Sequence, residues 1–287
     1  MKIGIVDVGG GYRGIYAAGV LDYCLDNGIN FDLGIGVSAG SANLGSFVSG
    51  QPRRNYKFYT EYGHRKEYAS THNFVTKKSF IDMDYVYNTL SNSDGEYPID
   101  YDYFLKNPMD YVVVATDAIT GKPRYFQKSD IIRDDYAPMK ASCAIPVVCH
   151  PYEVYGRKYF DGALSDPVPV QKAFDMGCDK VILLLTKPRN FRRTSEKDEK
   201  IAKLIEQEYP LAAEAFRGRA KRYNDEISMA KLQATTGKVL IVAPDDTCGV
   251  NTLTLDPEKL HELYSKGYAD GHKIREFLDK AEKGGSL

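Results

Sequence analysis

The sequence predicts an α/β protein, a three-layer α/β/α sandwich in which helices cover both faces of a mostly parallel central sheet. Five short, almost continuous apolar runs are typical of strands that are buried on both faces. The first two runs are each followed by glycine or other small residues and then by a helical pattern, which is the order of a βαβ unit. With 287 residues, of which 43% are hydrophobic, the chain can also bury a large core.

The N-terminal part of the chain predicts a βαβα unit. The run KIGIVDV, at residues 2–8, precedes a glycine loop and a helix that ends at Gly28. A second run, DLGIGV at residues 32–37, leads into a helix of small residues that ends at Gly50. Strands of such units lie parallel with right-handed crossovers, so their carboxyl ends meet at one edge of the sheet.

The middle of the chain predicts a tyrosine-rich insertion and two hairpins. Residues 52–105 are polar but hold many aromatic side chains, which either pack a helix on the core or form a wall over an acyl-chain site. A third strand at residues 110–117 precedes a hairpin that turns at residues 120–121. A second hairpin is expected to turn at residues 155–156.

The C-terminal part predicts two more strands and several charged helices. The strands are expected at residues 179–186 and 238–244, with two helices between them that are separated near Gly218. A final helix is expected over residues 257–280, followed by an irregular tail, KGGSL. Basic residues spread over residues 187–222 predict a solvated face, because glutamates lie among them; contact with anionic lipid head groups is the alternative.

Composition and charge narrow the class of protein. The 38 Lys and Arg residues nearly balance the 39 Asp and Glu residues, so the net charge is close to zero. We therefore expect that the protein does not bind nucleic acid. The five cysteines form no C-x-x-C pair, so we expect reduced thiols rather than a zinc site. The N-terminus enters a strand without the pattern of a signal peptide, and no apolar run approaches the roughly 18 residues of a membrane span. We therefore expect a cytoplasmic protein.

One serine stands between two glycines where the second strand becomes a helix, in the run Gly36-Val37-Ser38-Ala39-Gly40. The glycines leave room for a strained turn, which exposes the serine hydroxyl. The helix that begins near Ala39 directs its free amides and the positive end of its dipole to the same place, which favours a developing oxyanion. Ser38 is therefore a candidate nucleophile.

The glycine loop GGGYRG, at residues 9–14, has two interpretations. Its G-x-G-x-x-G spacing is typical of dinucleotide binding, which also needs an acidic residue at the carboxyl end of the second strand. That strand has its acid, Asp32, at the amino end, so the contact is missing. In the other interpretation the loop amides lie beside Ser38 and form an oxyanion hole, and Arg13 either orients the loop or meets a substrate phosphate.

Ser38 needs a base, for which the sequence offers a histidine and an aspartate. His150, in the run CHPYE, lies nearer to the other candidates than His261 and His272, which have ordinary amphipathic spacing on the final helix. Asp161 is the stronger candidate, because it ends an apolar hairpin strand at a glycine, where a carboxylate can be held close to another group.

Together these motifs resemble the patatin-like phospholipase family. The resemblance rests on the glycine loop, on the serine motif and on Asp161-Gly162-Ala163, in that order, and it spans about residues 1–190. It implies a Ser38–Asp161 dyad that cleaves lipid esters without histidine. The resemblance also implies an oxyanion hole formed by Gly9, Gly10, Gly11 and Gly14. The residues that it implies as support for these motifs are Arg13, Gly36, Ala39, Gly40, Gly162 and Ala163.

The resemblance also divides the chain into two parts. We expect a catalytic core at residues 1–190 and a helical extension at residues 191–287, which completes the α/β fold with the strand near residues 238–244. His150 departs from the family pattern, since many members carry an apolar residue or proline there. No cofactor and no metal are expected, because no acidic cluster has the spacing of a calcium loop.

Three functions from different classes follow. The main hypothesis is a lipid acyl hydrolase in which Asp161 takes the Ser38 proton and an acyl-serine forms; its activity falls in acid as Asp161 is protonated. One alternative is a regulatory lipid-binding protein on a hydrolase scaffold that has lost catalysis. The other is a nucleotide-binding protein that uses the glycine loop. The sequence leaves open the head group, the acyl length, the oligomeric state and a transient contact with a membrane surface.

Overall fold

A computed structural model describes residues 1–284 and has the predicted three-layer α/β/α architecture. The strands are β1 (Ile3–Asp7), β2 (Leu33–Val37), β3 (Asp110–Asp117), β4 (Pro123–Gln127), β5 (Tyr152–Val154), β6 (Arg157–Asp161), β7 (Lys180–Leu184) and β8 (Val239–Val242). They form one sheet in which hydrogen-bonded neighbours follow the path β5-β6-β3-β2-β1-β7-β8, and β4 also pairs with β3. The five predicted core strands run parallel. The two predicted hairpins supply two antiparallel pairs, β3–β4 and β5–β6, and β3 also pairs antiparallel with β6.

Helices cover both faces of this sheet. They are α1 (Ile15–Asp26), α2 (Ala39–Val48), α3 (Arg54–Thr60), α4 (Thr71–Lys77), α5 (Tyr101–Lys106), α6 (Ala137–Ser142), α7 (Val170–Asp175), α8 (Glu196–Ile205), α9 (Pro210–Thr235), α10 (Pro257–Asp270) and α11 (His272–Gly284). Successive strand residues face opposite layers, as a pleated strand requires. Ile5 of β1 packs in the core with α1, α2 and α10, whereas Val6 packs in the core with α7 and α9.

The pairing of β3 joins two distant parts of the chain. Val114 pairs with Val37, the last residue of β2, and the next residue, Ala115, pairs with Asp161, the last residue of β6. β4 pairs with both Val114 and Ala115 on the other side of β3. Therefore β2 and β6 lie end to end along the same side of β3, and their carboxyl ends meet.

Two predicted helix boundaries were wrong. α9 runs through Gly218, and the break between the charged helices lies at residues 206–209, before Pro210. An interior glycine costs a helix only about 1 kcal/mol, whereas a proline fits the first helical position. The predicted final helix is divided at Gly271, where a Cβ would lie 2.5 Å from the ring of Tyr23. Gly271 keeps helical φ and ψ values of −56° and −29°, and its lack of a side chain lets it pack against α1.

The tyrosine-rich segment forms several short elements instead of one helix. α3, α4 and α5 alternate with a 3-10 turn at Tyr62–His64 and a π-helical turn at Tyr85–Thr89.

At the C-terminal end of the chain, α11 continues through Gly284, two residues into the tail that was expected to be irregular. The rest of that tail, residues 285–287, lies outside the described residues. Within residues 1–284, no helix combines the length and apolar character that crossing a membrane requires. The five cysteines are free thiols.

The C-terminal extension is built into the same sheet and contacts the glycine loop. β8 lies within residues 238–244 and pairs in parallel with β7. After β8, the Thr252 carbonyl accepts a hydrogen bond of 3.2 Å from the Tyr12 amide. The same carbonyl oxygen would lie 2.5 Å from a Cβ on Gly11. Residues from the extension therefore shape the loop that precedes α1.

Candidate active site

Ser38 lies on a strained turn between β2 and α2. Its φ of 56° and ψ of −133° are a combination that few residues with a side chain adopt. The two flanking glycines allow very close contacts: a Cβ on Gly36 would lie 2.5 Å from the Cα of Ser41, and one on Gly40 would lie 2.2 Å from the carbonyl oxygen of Asp7. Ala39 begins α2, so the positive end of that helix dipole faces the serine.

The glycine loop packs directly against the Ser38 turn. A Cβ on Gly9 would lie 2.2 Å from the carbonyl oxygen of Val37, so only glycine fits there. The Gly9 amide donates to Asp7 Oδ1 at 2.9 Å and is therefore occupied. The amides of Gly10 and Gly11 donate to none of the described residues. Of the predicted oxyanion donors, Gly10 and Gly11 have amides available, whereas Gly9 contributes the shape of the loop.

Two other residues of the loop, Gly14 and Arg13, have separate surroundings. Gly14 packs closely against α2 and α3: a Cβ on it would lie 2.4 Å from the Tyr59 hydroxyl and 3.3 Å from the Cβ of Ala39. Arg13 donates from Nη1 to Thr252 Oγ1 at 3.0 Å, and its buried Nε has no partner among the described residues. Gly14 thus allows the loop to pack closely against α2 and α3, and Arg13 links the loop to the C-terminal extension through a hydrogen bond.

Asp161 meets Ser38 because β2 and β6 end at the same point beside β3. The Ala163 amide donates to Asp161 Oδ1 at 2.8 Å, which orients the carboxylate at the start of a short 3-10 turn. Gly162 lets that turn lie against β3, since a Cβ there would be 2.2 Å from the Val114 carbonyl oxygen. The two residues predicted as a dyad, 123 positions apart in the chain (161 minus 38), line one cavity.

Burial makes the Asp161 carboxylate more basic than an exposed aspartate. The residue is only 3% exposed, and loss of solvent raises its pKa to about 6. The Ser38 hydroxyl and the Ala163 amide act in the opposite direction, because they stabilise the charged form. A carboxylate with this pKa is ionised at neutral pH and more basic than an exposed aspartate, as general-base catalysis requires.

Two cavities of different character meet at Ser38. The first, the apolar cavity, has a volume of about 90 Å³ and extends along α2 beneath Phe58, Tyr59 and Tyr68. The second, the basic cavity, has a volume of about 340 Å³ and contains Asp161. Ser38 lines both cavities. Phe58 and Tyr59 pack in the hydrophobic core, as the first of the two interpretations predicted, and they also line this cavity. That the cavity holds an acyl chain stays a prediction.

The basic cavity holds an excess of cations: Arg13, Lys187, Arg193, Lys197 and Arg219. Asp198 accepts from Arg193 Nε at 3.2 Å and from Arg219 Nη2 at 2.6 Å, so one carboxylate is shared by two guanidinium groups. Burial and then the neighbouring cations lower the pKa of Lys187 to about 8. The predicted solvated face was therefore wrong for Lys187, Arg193 and Arg219, because the fold places them around the cavity that Ser38 also lines.

Comparison with known families agrees with this geometry. The sequence model of the patatin-like phospholipases matches residues 8–174, more than half of the chain. The chain belongs to the patatin-like phospholipase family. A second family model, of a domain of unknown function (DUF6363), matches residues 209–283, within the extension of this patatin-like protein.

Individual relatives of this patatin-like protein share parts of its length. YjjU of Escherichia coli K12 is 30% identical over 210 residues, which are 68% of this chain and 55% of YjjU. Lysophospholipase nte1 of Aspergillus oryzae is 22% identical over 309 residues, covering 100% of this chain and 18% of that protein. The chain thus spans about half, or less, of these relatives. The crystal structure of VipD from Legionella pneumophila aligns with a TM-score of 0.49 and 13% identity, over 97% of this chain and 67% of that one.

In this patatin-like protein His150 bonds to residues away from Ser38. Its Nδ1 lies 2.7 Å from Ser79 Oγ, and its ring stacks on Tyr152 at 4.8 Å between centroids. It lines neither of the two cavities that contain Ser38. His261 bonds the hydroxyl of Tyr56 at 2.9 Å through its own Nδ1.

We expect His150→Ala to change kcat/KM for an ester substrate by less than about tenfold, because Asp161 and not His150 faces Ser38. Steady-state hydrolysis of a soluble ester by both proteins measures this. A loss of roughly a thousandfold or more would instead identify a histidine-dependent triad.

Asp7 is a buried site residue that the sequence analysis missed. It accepts from the Gly9 amide and from Asn43 Nδ2, each at 2.9 Å, and burial raises its pKa to about 6. Asn43 also donates to the Gly14 carbonyl at 2.9 Å, so α2 and the glycine loop are held together. The signal in the sequence was an acid at the carboxyl end of the first strand, two residues before the first glycine of the loop.

Proposed function

We propose that this protein is a serine hydrolase that cleaves acyl ester bonds of lipids. The observation that carries the proposal is the position of Ser38 and Asp161 at the junction of an apolar and a basic cavity. An ester bond at this junction has its acyl chain on the apolar side and its alcohol on the basic side. Family membership and a relative named as a lysophospholipase support the same function.

In the acylation step Asp161 accepts the hydroxyl proton of Ser38 while Ser38 Oγ attacks the ester carbonyl carbon. The carbonyl oxygen becomes an oxyanion, which accepts hydrogen bonds from the amides of Gly10 and Gly11 and faces the positive end of α2. The bond between the carbonyl carbon and the alcohol oxygen then breaks, and protonated Asp161 returns its proton to that oxygen. An acyl-serine and a free alcohol result.

In the deacylation step the same residues act on water. Asp161, again a carboxylate, takes a proton from a water molecule as that water attacks the acyl-serine carbonyl carbon. The oxyanion uses the same two amides, and the bond to Ser38 Oγ breaks as Asp161 protonates the serine. The fatty acid leaves and the starting state is restored. Because the Asp161 pKa is raised to about 6, this cycle runs at neutral pH and slows in acid.

The charge of the basic cavity favours an anionic alcohol group. Five cations and two carboxylates, Asp161 and Asp198, line it. Opposite charge near the scissile bond orients the substrate and raises its local concentration. We therefore propose that esters of a phosphate-bearing alcohol, such as lysophospholipids, are cleaved better than neutral glycerides.

A lipid panel with the purified protein and its Ser38→Ala variant tests the proposal. We expect fatty-acid release from anionic lysophospholipids by the wild type alone, together with fluorophosphonate labelling of Ser38. An intact fold with neither labelling nor release would support the regulatory lipid-binding alternative. Thermal stabilisation by a dinucleotide would support the nucleotide alternative, for which Asp32 is badly positioned: it accepts from the Ile3 amide at 2.6 Å, at the amino end of β2.

We expect Lys187→Gln to reduce the preference for anionic over neutral esters about fivefold, since one nearby charge is worth about 1 kcal/mol in a wet site. The wild-type preference should also decline as pH rises through about 8, where Lys187 loses its proton. The ratio of kcat/KM for a lysophospholipid and a monoglyceride with the same acyl chain measures both effects.

Arg189→Gln is the matched control for this variant. Arg189 is an exposed cation two residues further along the chain and does not line the basic cavity. An equal loss of preference in the two variants would mean that overall charge, and not the basic cavity, attracts the substrate.

A further inference from the structure

A cation, Arg54, lines the apolar cavity. It lies on α3, is only 5% exposed, and shares the cavity with no acidic residue among the described residues. Its two Nη atoms donate to Ser46 Oγ at 3.3 Å, Ser91 Oγ at 2.8 Å and the Tyr97 carbonyl at 3.1 Å. Its buried Nε has no partner within residues 1–284. The guanidinium is thus held by neutral groups, with no counter-charge from the cavity wall.

Two aromatic rings stabilise the positive charge of the Arg54 guanidinium through cation–π contacts but do not neutralise it. The guanidinium carbon lies 4.4 Å from the centre of the Phe58 ring and 5.4 Å from that of Tyr97. Burial lowers the pKa of Arg54 to about 10, so the group is still protonated at neutral pH. A buried charge without a counter-ion is costly, and a carboxylate that reached it would offset that cost.

Arg54 stands far along the cavity from the reacting serine. Ala39, Ala42, Asn43 and Ser46 of α2 line the cavity at the spacing of one helix face. Ser46 comes eight residues after Ser38, which at 1.5 Å per residue is roughly 12 Å along the helix axis. Since Arg54 bonds Ser46, an acyl chain that starts at Ser38 and follows α2 ends at the guanidinium.

We propose that the apolar cavity selects acyl groups that carry a carboxylate at the end remote from the ester bond, that is, half-esters of unbranched, medium-chain dicarboxylic acids. The inference rests on the proposed function and names its acyl specificity. The methylene groups contact apolar side chains such as Phe58 and Met83, and the terminal carboxylate accepts hydrogen bonds from Arg54. An acyl chain that ends in a methyl group leaves the guanidinium without a counter-charge.

The wild-type protein tests this directly. Adipoyl, suberoyl and azelaoyl half-esters of one neutral alcohol are compared with hexanoyl, octanoyl and nonanoyl esters of the same alcohol at neutral pH. We expect a kcat/KM ratio of at least about ten in favour of the carboxylate at the chain length that reaches Arg54, from a charge-assisted hydrogen bond worth roughly 1.5–3 kcal/mol. A ratio of one or less at every length overturns the inference.

Variants separate selection by Arg54 from a purely structural role. Arg54→Met should abolish the preference, and Arg54→Lys should keep part of it, because the charge remains but the planar fork is lost. The ratio of kcat/KM for two substrates, measured with one variant, does not depend on the fraction of protein that is folded. Arg54→Lys decides the question if Arg54→Met does not fold.

Arg53→Met is the matched control. Arg53 is adjacent to Arg54 and pairs with Asp26 outside the cavity, so this variant should keep the wild-type kcat/KM ratio. Equal changes in rate for both substrates of a pair would show that Arg54 only supports the fold.

Failure of this inference can be told from failure of the proposed function. If only the acyl specificity is wrong, the plain esters are cleaved and Ser38 is labelled by a fluorophosphonate. If the protein is not a hydrolase, no ester is cleaved, and calorimetry on Ser38→Ala still tests the site. In that variant, the azelaoyl half-ester should bind at least about tenfold tighter than the nonanoyl ester, because its carboxylate accepts hydrogen bonds from Arg54. Equal binding of the two esters overturns the proposal.

Discussion

Replacing Ser38 with alanine is expected to lower ester hydrolysis by at least about ten-thousandfold, because the proposed nucleophile is lost. Fluorophosphonate labelling should disappear with it. The substitution removes one buried oxygen from a turn whose backbone is held by glycine contacts, so the fold should be retained. Fatty-acid release from the preferred lipid, measured beside circular dichroism, checks both expectations.

Ser49→Ala is the matched control for this loss. Ser49 is another buried serine, directly after α2, whose hydroxyl donates to the Gly45 carbonyl at 2.8 Å and which lines neither cavity. It should retain hydrolysis and labelling. Wild-type turnover by Ser38→Ala would refute the proposed nucleophile.

Asp161→Asn is expected to lower kcat/KM by roughly a hundredfold to ten-thousandfold, the usual contribution of a general base. In the wild type, kcat/KM should fall tenfold per pH unit below about 6, because protonated Asp161 cannot accept the serine proton. This acid limb should be absent from the residual activity of Asp161→Asn. Full pH profiles of both proteins on an uncharged ester provide the test.

Asp7→Asn identifies which carboxylate produces the acid limb. The pKa of Asp7 is also raised to about 6, and this residue bonds the glycine loop but does not line the cavity that contains Asp161. If Asp161 is the base, the limb persists in Asp7→Asn with its midpoint near the wild-type value. A limb that vanishes in Asp7→Asn and remains in Asp161→Asn would reverse the assignment.

The same Asp161→Asn variant should be more stable than the wild type at about pH 8, by on the order of 1–3 kcal/mol. The folded-state pKa of Asp161 is raised, so its favourable contribution is complete below the unfolded value near 3.8 and is lost as pH rises through about 6. Asparagine stays neutral and avoids that loss. Denaturant unfolding at about pH 8 and about pH 4 should show a gain at the higher pH that shrinks at the lower one.

Local geometry explains why the serine motif and the strands were predictable. The core strands are apolar because both faces of the sheet are covered, and each run fell within a residue or two of its predicted bounds. The Ser38 turn requires glycine at Gly36 and Gly40 because neighbouring backbone atoms lie within 3 Å of their absent Cβ atoms. These steric requirements act between residues that are close in the chain or in adjacent strands. They therefore restrict the sequence to a motif that can be recognised.

Helix ends and the direction of charged side chains were harder to predict. Gly218 resembled a helix end, but α9 continues through it. Lys187, Arg193 and Arg219 looked like part of a solvated face, yet they line the basic cavity. Spacing along the chain shows which residues share a helix face but not what that face meets, because packing partners come from distant elements.

By itself, the sequence determined the α/β class, the glycine-flanked turn at Ser38 and the glycine loop beside it, and through a family resemblance it predicted Asp161 as the partner of Ser38. The tertiary structure alone decided that β6 continues the line of β2 beside β3, that burial raises the pKa of Asp161 to about 6, and that Ser38 opens on two cavities. It also decided that Arg54 faces a cavity whose lining, within residues 1–284, includes no acidic side chain. The physical reason is that backbone turns depend on neighbouring residues, whereas desolvation and electrostatics depend on every group that folding brings near.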